Sequence, residues 1–388
     1  MNALTIKSDR IVTAAGLLDG FIRCEGGTIA ATGAGDPDGP ALDFTGKYVS
    51  AGFIELHSHG GGGFDFLSGD ASAVAAACDF HLRHGVTTIL PTVSAAPFDR
   101  MERAVAAISA ARRERMTAVN IPGAHLEGPY LSPGQCGAQC TDFITPPDKE
   151  QYERLTKAYG GDIARWTYAP ERDTDGAFCR YLVRNGILPS AGHTDAVYAD
   201  MLRAAENGCT LVTHLYSCTS TVTRAGGFRR MGVTESALYL DELYTEIIAD
   251  GKHLPPELIR MIVKIKGREK VPLVTDSLPI TGTDAVEGVM SGTPYIVEDG
   301  VCKLKDRSAF AGSVATACDV LRVMTGACGF PLCDAVYMMT AVPAAILGLN
   351  KGRPEPEYDA DLAVFDDNFC ISDVFVGGTA AVRGGHVL

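Results

Sequence analysis

Two of the nine histidines in this 388-residue chain, His57 and His59, stand one residue apart in the run FIELHSHGGGGFDF. In an extended strand, residues two apart point to the same side, so both imidazoles can approach one ion. The glycines from Gly60 to Gly63 would let the backbone turn close to that ion without a Cβ in the way. Four more metal- or proton-binding side chains close apolar runs further on. They are Glu127 in HLEGPY, His193 in ILPSAGH, His214 in TLVTH and Asp276 in PLVTD, with His253 just beyond TEIIAD. Imidazole and carboxylate together suit zinc and related divalent ions. Read singly, each has a structural alternative: an internal ion pair for Glu127, a cap for Asp276, a core or solvated histidine for the others. Recurrence at one strand end after another is what favours the metal reading.

The elements that must bring these residues together are legible as a repeat. A short apolar strand is followed by a helix, and the helices stop near Gly85, Gly160, Gly186, Gly208 and Gly267, where a left-handed C-terminal residue favours glycine. Eight strands are predicted, at 53–57, 87–91, 120–127, 165–170, 187–193, 210–214, 245–250 and 272–276. Thr194 or Asp195 is expected to cap the helix VYADMLRAAENG. Eight strands alternating with helices indicate an α/β fold, a (β/α)8 TIM-like barrel over residues 51–350, and strand-end residues of such a barrel meet at one mouth. No G-x-G-x-x-G or P-loop follows a strand, which disfavours the open nucleotide-binding sheets. Residues 1–50 and 351–388 read instead as short strands and turns, and together they are expected to form one small β-sandwich domain. A hairpin, PYIVEDGVCKLK, interrupts the chain at 294–305.

Composition narrows the partners. Apolar residues make up 46 %, enough for a large core. The net charge of −13 and the lack of basic runs argue against nucleic acid or an anionic membrane. The chain shows neither a leader-like start nor an apolar run of membrane-spanning length, so a cytoplasmic protein is expected. The twelve cysteines are scattered and are expected to be reduced, mostly small buried hydrophobes.

The motifs HSHG, HLEGPY, GHTDA, THLY, IIADGKHL, LVTDS and AGS, in this order, resemble those of the amidohydrolase superfamily and, within it, the N-acetylglucosamine-6-phosphate deacetylase family. The resemblance spans nearly the whole chain. It implies a cytoplasmic, metal-dependent hydrolase that cleaves the acetamide of an N-acetylated amino-sugar phosphate to acetate and the free amine. An amidohydrolase acting on another N-acyl or cyclic amide stays open, and behind it a catalytically silent sugar-binding protein. The resemblance further implies one or two divalent ions per chain, zinc first, with iron, manganese and cobalt as alternatives. Glu127, His193 and His214 match ligands of a principal ion; His57 and His59 would complete a second site, with Glu127 bridging. Asp276 matches the catalytic aspartate, and His125 is expected to support Glu127. His253, Ala311, Gly312 and Ser313 match substrate contacts. A homodimer or higher homo-oligomer is expected.

Three departures from the family pattern concern substrate. Ser217, Cys218 and Thr219 replace the Asn-Ala-Met that follows THLY or THLF. Gln139 stands where a histidine near the scissile carbonyl is usual, and a glutamine can still donate a hydrogen bond there. TRAGGFRR replaces Arg-Glu-Pro-Gly, which leaves Arg224, Arg229 and Arg230 to compete for the phosphate, with Arg224 favoured.

Overall fold

The computed structural model describes residues 4–388. All eight expected strands are present, several shorter than the apolar runs suggest: Phe53–Ser58, Val86–Ser94, Ala124–Glu127, Ile163–Tyr168, Leu188–Ala191, Leu211–Val212, a seventh split into Tyr244–Thr245 and Ile247–Ile248, and Leu273–Val274. Every pairing between neighbours is parallel, and Glu246 separates the two halves of the seventh strand. The sheet is curled. Asp276 N donates to His57 O and His59 N to Ser277 O, each at 2.9 Å, so the exit of strand eight is bonded to the exit of strand one. The side chain of Glu55 spans the same seam lower down, accepting from His57 N at 3.0 Å and Thr275 N at 3.1 Å.

Helices cover the outside of this sheet. Val74, Leu82, Val105, Ile108, Trp166, Phe178, Met201, Ile259 and Met338 are buried in one continuous core between helices and strands. Fully burying such side chains contributes about 1.5–3 kcal/mol each. The helix after strand five runs over Tyr198–Glu206, later than expected, and is capped at Val197 and not at Thr194 or Asp195. The reason is local: the Asp200 carboxylate accepts Val197 N at 3.0 Å, while the Thr194 hydroxyl is bonded to Glu171.

Strands from both chain ends share one nine-stranded sheet, joined where Tyr48–Ala51 pairs antiparallel with Leu362–Phe365. Alternating residues of that sheet, Ile6, Ile22, Ile29, Val49, Leu362, Val364 and Phe375, form its own core. The hairpin expected at 294–305 is part of a larger four-stranded antiparallel sheet, from Glu287–Met290 to Phe310–Gly312. Its last strand ends beside strand eight, where Leu278 N donates to Ser313 O at 3.0 Å. Among the described residues, no helix is long and apolar enough to cross a membrane, and all twelve cysteines are free.

Candidate metal centre and active site

Strand exits bring His57, His59, Glu127, His193, His214 and Asp276 together in the mouth of the curled sheet, all buried. Glu127 is the hub. Its Oε1 lies 3.0 Å from His214 Nε2, 3.1 Å from His193 Nε2 and 3.3 Å from His57 Nε2. Its Oε2 lies 3.3 Å from His59 Nε2. Asp276 Oδ1 faces the same two strand-one rings, 3.3 Å from His59 Nε2 and 3.5 Å from His57 Nε2.

Three of these residues leave their strands in a conformation that non-glycine residues rarely adopt. φ is +47° at His193, +26° at His214 and +48° at Asp276. Such backbone costs of order 1–3 kcal/mol per residue and persists only where neighbours enforce it. Here main-chain bonds do so: Ser132 N donates to His193 O at 2.8 Å, and Ser313 N to Asp276 O at 2.9 Å. The His214 N–H is taken by Glu246 Oε1 at 3.2 Å.

The electrostatics are those of a pocket short of positive charge. Burial by itself would raise the Glu127 carboxyl, but His57 and His193 outweigh it and hold it well below the usual carboxylate range. Burial likewise opposes ionisation of Asp276, and His57 and His59 overcome it to lower its pKa. Burial would lower both strand-one imidazoles; Glu127 and Asp276 instead raise His57 to about 10 and His59 to about 9. For His214 burial prevails and the pKa is lowered.

These residues fit a divalent ion. His57 Nε2 and Asp276 Oδ1 are buried without a hydrogen-bond partner. His193 Nε2 and His214 Nε2 point at each other across 3.2 Å while sharing one carboxylate oxygen. Four donors placed tetrahedrally about 2.1 Å from zinc stand about 3.4 Å apart, which is the spacing seen here. Two groups of three have ligand atoms within 4.8 Å of one another, His57–Glu127–His214 and His57–His59–Asp276. His57 belongs to both groups and Glu127 to the first alone, so neither group coincides with an expected set, Glu127 with His193 and His214 or His57 with His59.

A cavity of about 240 Å³ opens onto this cluster. His253, Gln139, Ser217, Cys218, Ala311 and Gly312 line it, as expected of substrate contacts; so do Tyr216, Met290 and Phe310, which the sequence reading missed. His253 is fixed by its Nδ1, 2.8 Å from Asp250 Oδ2, and packs edge-on against Phe310. The Gln139 amide is already engaged, donating to Glu127 Oε2 at 2.6 Å and accepting Ala95 N at 2.9 Å.

Three expectations need correcting. Ser313 does not line the cavity; it is fully buried, with its hydroxyl donated to Thr275 O, and it braces Asp276 from behind. His125 does not bond Glu127. Its ring spans Thr92 Oγ1 at 3.0 Å and Thr167 Oγ1 at 2.7 Å and lies edge-on to His57 at 4.7 Å, one layer below the carboxylate. Gly60 and Gly61 are required by the packing of the protein itself. A Cβ on Gly60 would sit 2.0 Å from Phe64 O, and one on Gly61 2.3 Å from the Phe80 ring. Arg224, Arg229 and Arg230 lie on an exposed two-stranded hairpin, Thr223–Ala225 with Phe228–Arg230, and none lines the cavity of its own chain.

Residues 48–381 match the amidohydrolase family. N-acetylglucosamine-6-phosphate deacetylase of Bacillus subtilis is 30% identical over 376 residues, covering 93% of each chain. N-acetylgalactosamine-6-phosphate deacetylase of a Shewanella species is 28% identical, over 93% of this chain and 89% of that one. A mutant N-acetyl-D-glucosamine-6-phosphate deacetylase of Mycobacterium smegmatis, solved in complex with N-acetyl-D-glucosamine-6-phosphate, superimposes with a TM-score of 0.92 at 30% identity. The match covers 99% of this chain and 100% of that one. By its site, its fold and these relatives together, the chain belongs to the amidohydrolase family and, within it, to the group of the N-acetylglucosamine-6-phosphate deacetylases.

Proposed function

We propose that this protein hydrolyses the acetamide of N-acetylglucosamine-6-phosphate to glucosamine-6-phosphate and acetate. The observation that carries this reading is the Glu127 hub, one buried carboxylate shared by four imidazoles at the floor of a sugar-sized cavity. Glu127, His193 and His214 would hold a principal divalent ion, and His57 and His59 would complete a second site, with zinc the first candidate. When bound, such an ion supplies activation of water near neutral pH and polarisation of the amide carbonyl.

The chain's own residues do the rest. Asp276, charged and at the edge of the cavity, takes the proton from the attacking water and returns it to the amide nitrogen as the C–N bond breaks. His253, with its ring locked by Asp250, and the Ala311–Gly312 segment position the sugar. No lysine or arginine is among the described residues lining the cavity. The phosphate is therefore assigned to Arg224, with Arg229 and Arg230 beside it, presented by the exposed hairpin of a second copy in a homo-oligomer. Phe228 on that hairpin, 80% exposed, supports its burial against another copy. In this reading residues 51–350 form a closed (β/α)8 barrel, 1–50 with 351–388 a small β-sandwich domain, and the protein is cytoplasmic.

The likeness to the Shewanella N-acetylgalactosamine-6-phosphate deacetylase, at 28% identity over 93% of this chain, favours one second reading, the galactosamine epimer of the same substrate. Acetate release by metal-loaded protein is measured on both 6-phosphates and on unphosphorylated N-acetylglucosamine. The expected result is turnover of the glucosamine 6-phosphate well above the other two. Preference for the epimer selects the second reading, and preference for the unphosphorylated sugar overturns the phosphate assignment.

A further inference from the structure

Beneath the mouth lies an ion pair that the reaction above does not use. Arg165, on strand four, and Glu246, at the break in strand seven, are both 0% exposed. Arg165 Nη1 donates to Glu246 Oε2 at 2.5 Å and Nη2 to Oε1 at 3.2 Å. The remaining donors go to Ser190 Oγ at 2.9 Å, Leu56 O at 3.1 Å and Thr213 Oγ1 at 2.9 Å. All five guanidinium N–H groups of this strand-four residue are thus spent on five acceptor atoms from strands one, five, six and seven, which hold the Glu246 carboxylate in one orientation. Its Oε1 reaches upward, 3.0 Å from His57 Nδ1.

A buried ion pair is a poor device for stability alone. Removing two charges from water costs several kcal/mol per ion, and an apolar pair of similar volume often serves as well. A carboxylate accepts and never donates, so His57 Nδ1 must carry the hydrogen. Once an incoming ion displaces the proton from Nε2, the lone pair of that atom faces Glu127 and Asp276, and no hydrogen-bond partner competes for it there. Outer carboxylates of this kind set tautomer and ring orientation in metal-binding histidines.

We propose that Glu246, clamped by Arg165, is the positioning residue that fixes His57 with Nε2 facing the mouth and so sets the affinity for the second ion. The inference rests on the two-ion reading given above. It implies that loss of the clamp weakens the ion held by His57 and His59 far more than the one held by Glu127, His193 and His214, where Glu246 meets the main-chain N–H of His214 and not its ring.

The test measures zinc stoichiometry and stepwise Kd by chelator competition for the wild type, Glu246→Gln, and the paired Glu246→Gln, Arg165→Met variant, which leaves no buried charge unpaired. The wild type is expected to hold two ions. Both variants are expected to bind the weaker ion on the order of 10–100-fold less tightly, with the tighter one changed by less than about threefold. Variants that keep both ions at wild-type affinity overturn the positioning role alone; a wild type that holds one ion overturns the two-ion reading. A second measurement needs no variant. Two-bond ¹H–¹⁵N correlation on the zinc-loaded wild type is expected to show His57 protonated at Nδ1 and ligated through Nε2, and ligation through Nδ1 overturns the proposal.

Discussion

His193 Nε2 and His214 Nε2 stand 3.2 Å apart, and each is within 3.1 Å of the same oxygen, Glu127 Oε1. Two imidazoles cannot both present lone pairs to each other and to a carboxylate without a cation among them. A proton or a metal ion must sit there, and the three residues come from strands three, five and six solely to make that meeting. His193→Ala is therefore expected to lose about one ion per chain, together with activity, since structural and catalytic zinc sites need their full protein ligand set. Metal analysis of the purified variant checks this, and an unchanged ion count would contradict it.

Asp276 is expected to carry the proton. Asp276→Asn keeps the shape and the main-chain bonds to His57 O and Ser313 N, but removes the base. Turnover should fall on the order of 10²–10⁴-fold, the usual scale for a general acid–base group. The ion at Glu127, His193 and His214 should remain, because Asp276 Oδ1 faces only the strand-one histidines. Steady-state kinetics with parallel metal analysis separates the two effects.

Metal uptake should release protons and tighten with pH. In the metal-free protein Glu127 and Asp276 raise His57 to about 10 and His59 to about 9 against burial, so both rings hold protons at neutral pH. An incoming ion must displace them. The same shifts set the stability of the metal-free form. Their folded values lie above the ordinary 6.5, so the stabilisation is fully present below about pH 6.5 and is lost as pH rises through 9 to 10. Metal-free protein should melt lower at high pH than near neutrality. Proton release on zinc addition to weakly buffered protein, and thermal melts across that range, check both signs.

Arg224 tests where the phosphate is held. Its side chain is exposed on the hairpin, so Arg224→Ala should change stability by no more than about 0.5 kcal/mol. Loss of a charged hydrogen bond to phosphate is worth about 1.5–3 kcal/mol, so KM for the 6-phosphate sugar should rise on the order of 10–100-fold. KM for the unphosphorylated sugar should hardly move. An unchanged KM for both would remove the hairpin from the site. Light scattering tests the accompanying expectation that the protein is at least a dimer.

The sequence by itself determined the repeat and the chemistry. Eight apolar runs ending in polar residues fixed the number of strands, and the H-x-H spacing fixed which two histidines share a side, because alternation along a strand is a local property. Glu127, His193, His214 and Asp276 could be picked out for the same reason, each being the polar residue at the end of an apolar run. Tertiary structure decided what lay beyond the reach of local pattern. Glu246 and Arg165 looked like ordinary charges inside strands; only curling the sheet puts them face to face under His57. The available signal was Arg165 at the head of RWTYAP and Glu246 inside TEIIAD, each a charge where an apolar run begins. Ser313 sits two residues after Ala311, and alternation alone would give both the same face; the strand ends at Gly312, whose φ of +136° turns the chain so that Ser313 braces Asp276 while Ala311 lines the cavity. The three arginines follow strand six in sequence, as a phosphate-holding loop should. Their hairpin instead stands out in solvent, because its two short strands pair with each other and with nothing else among the described residues.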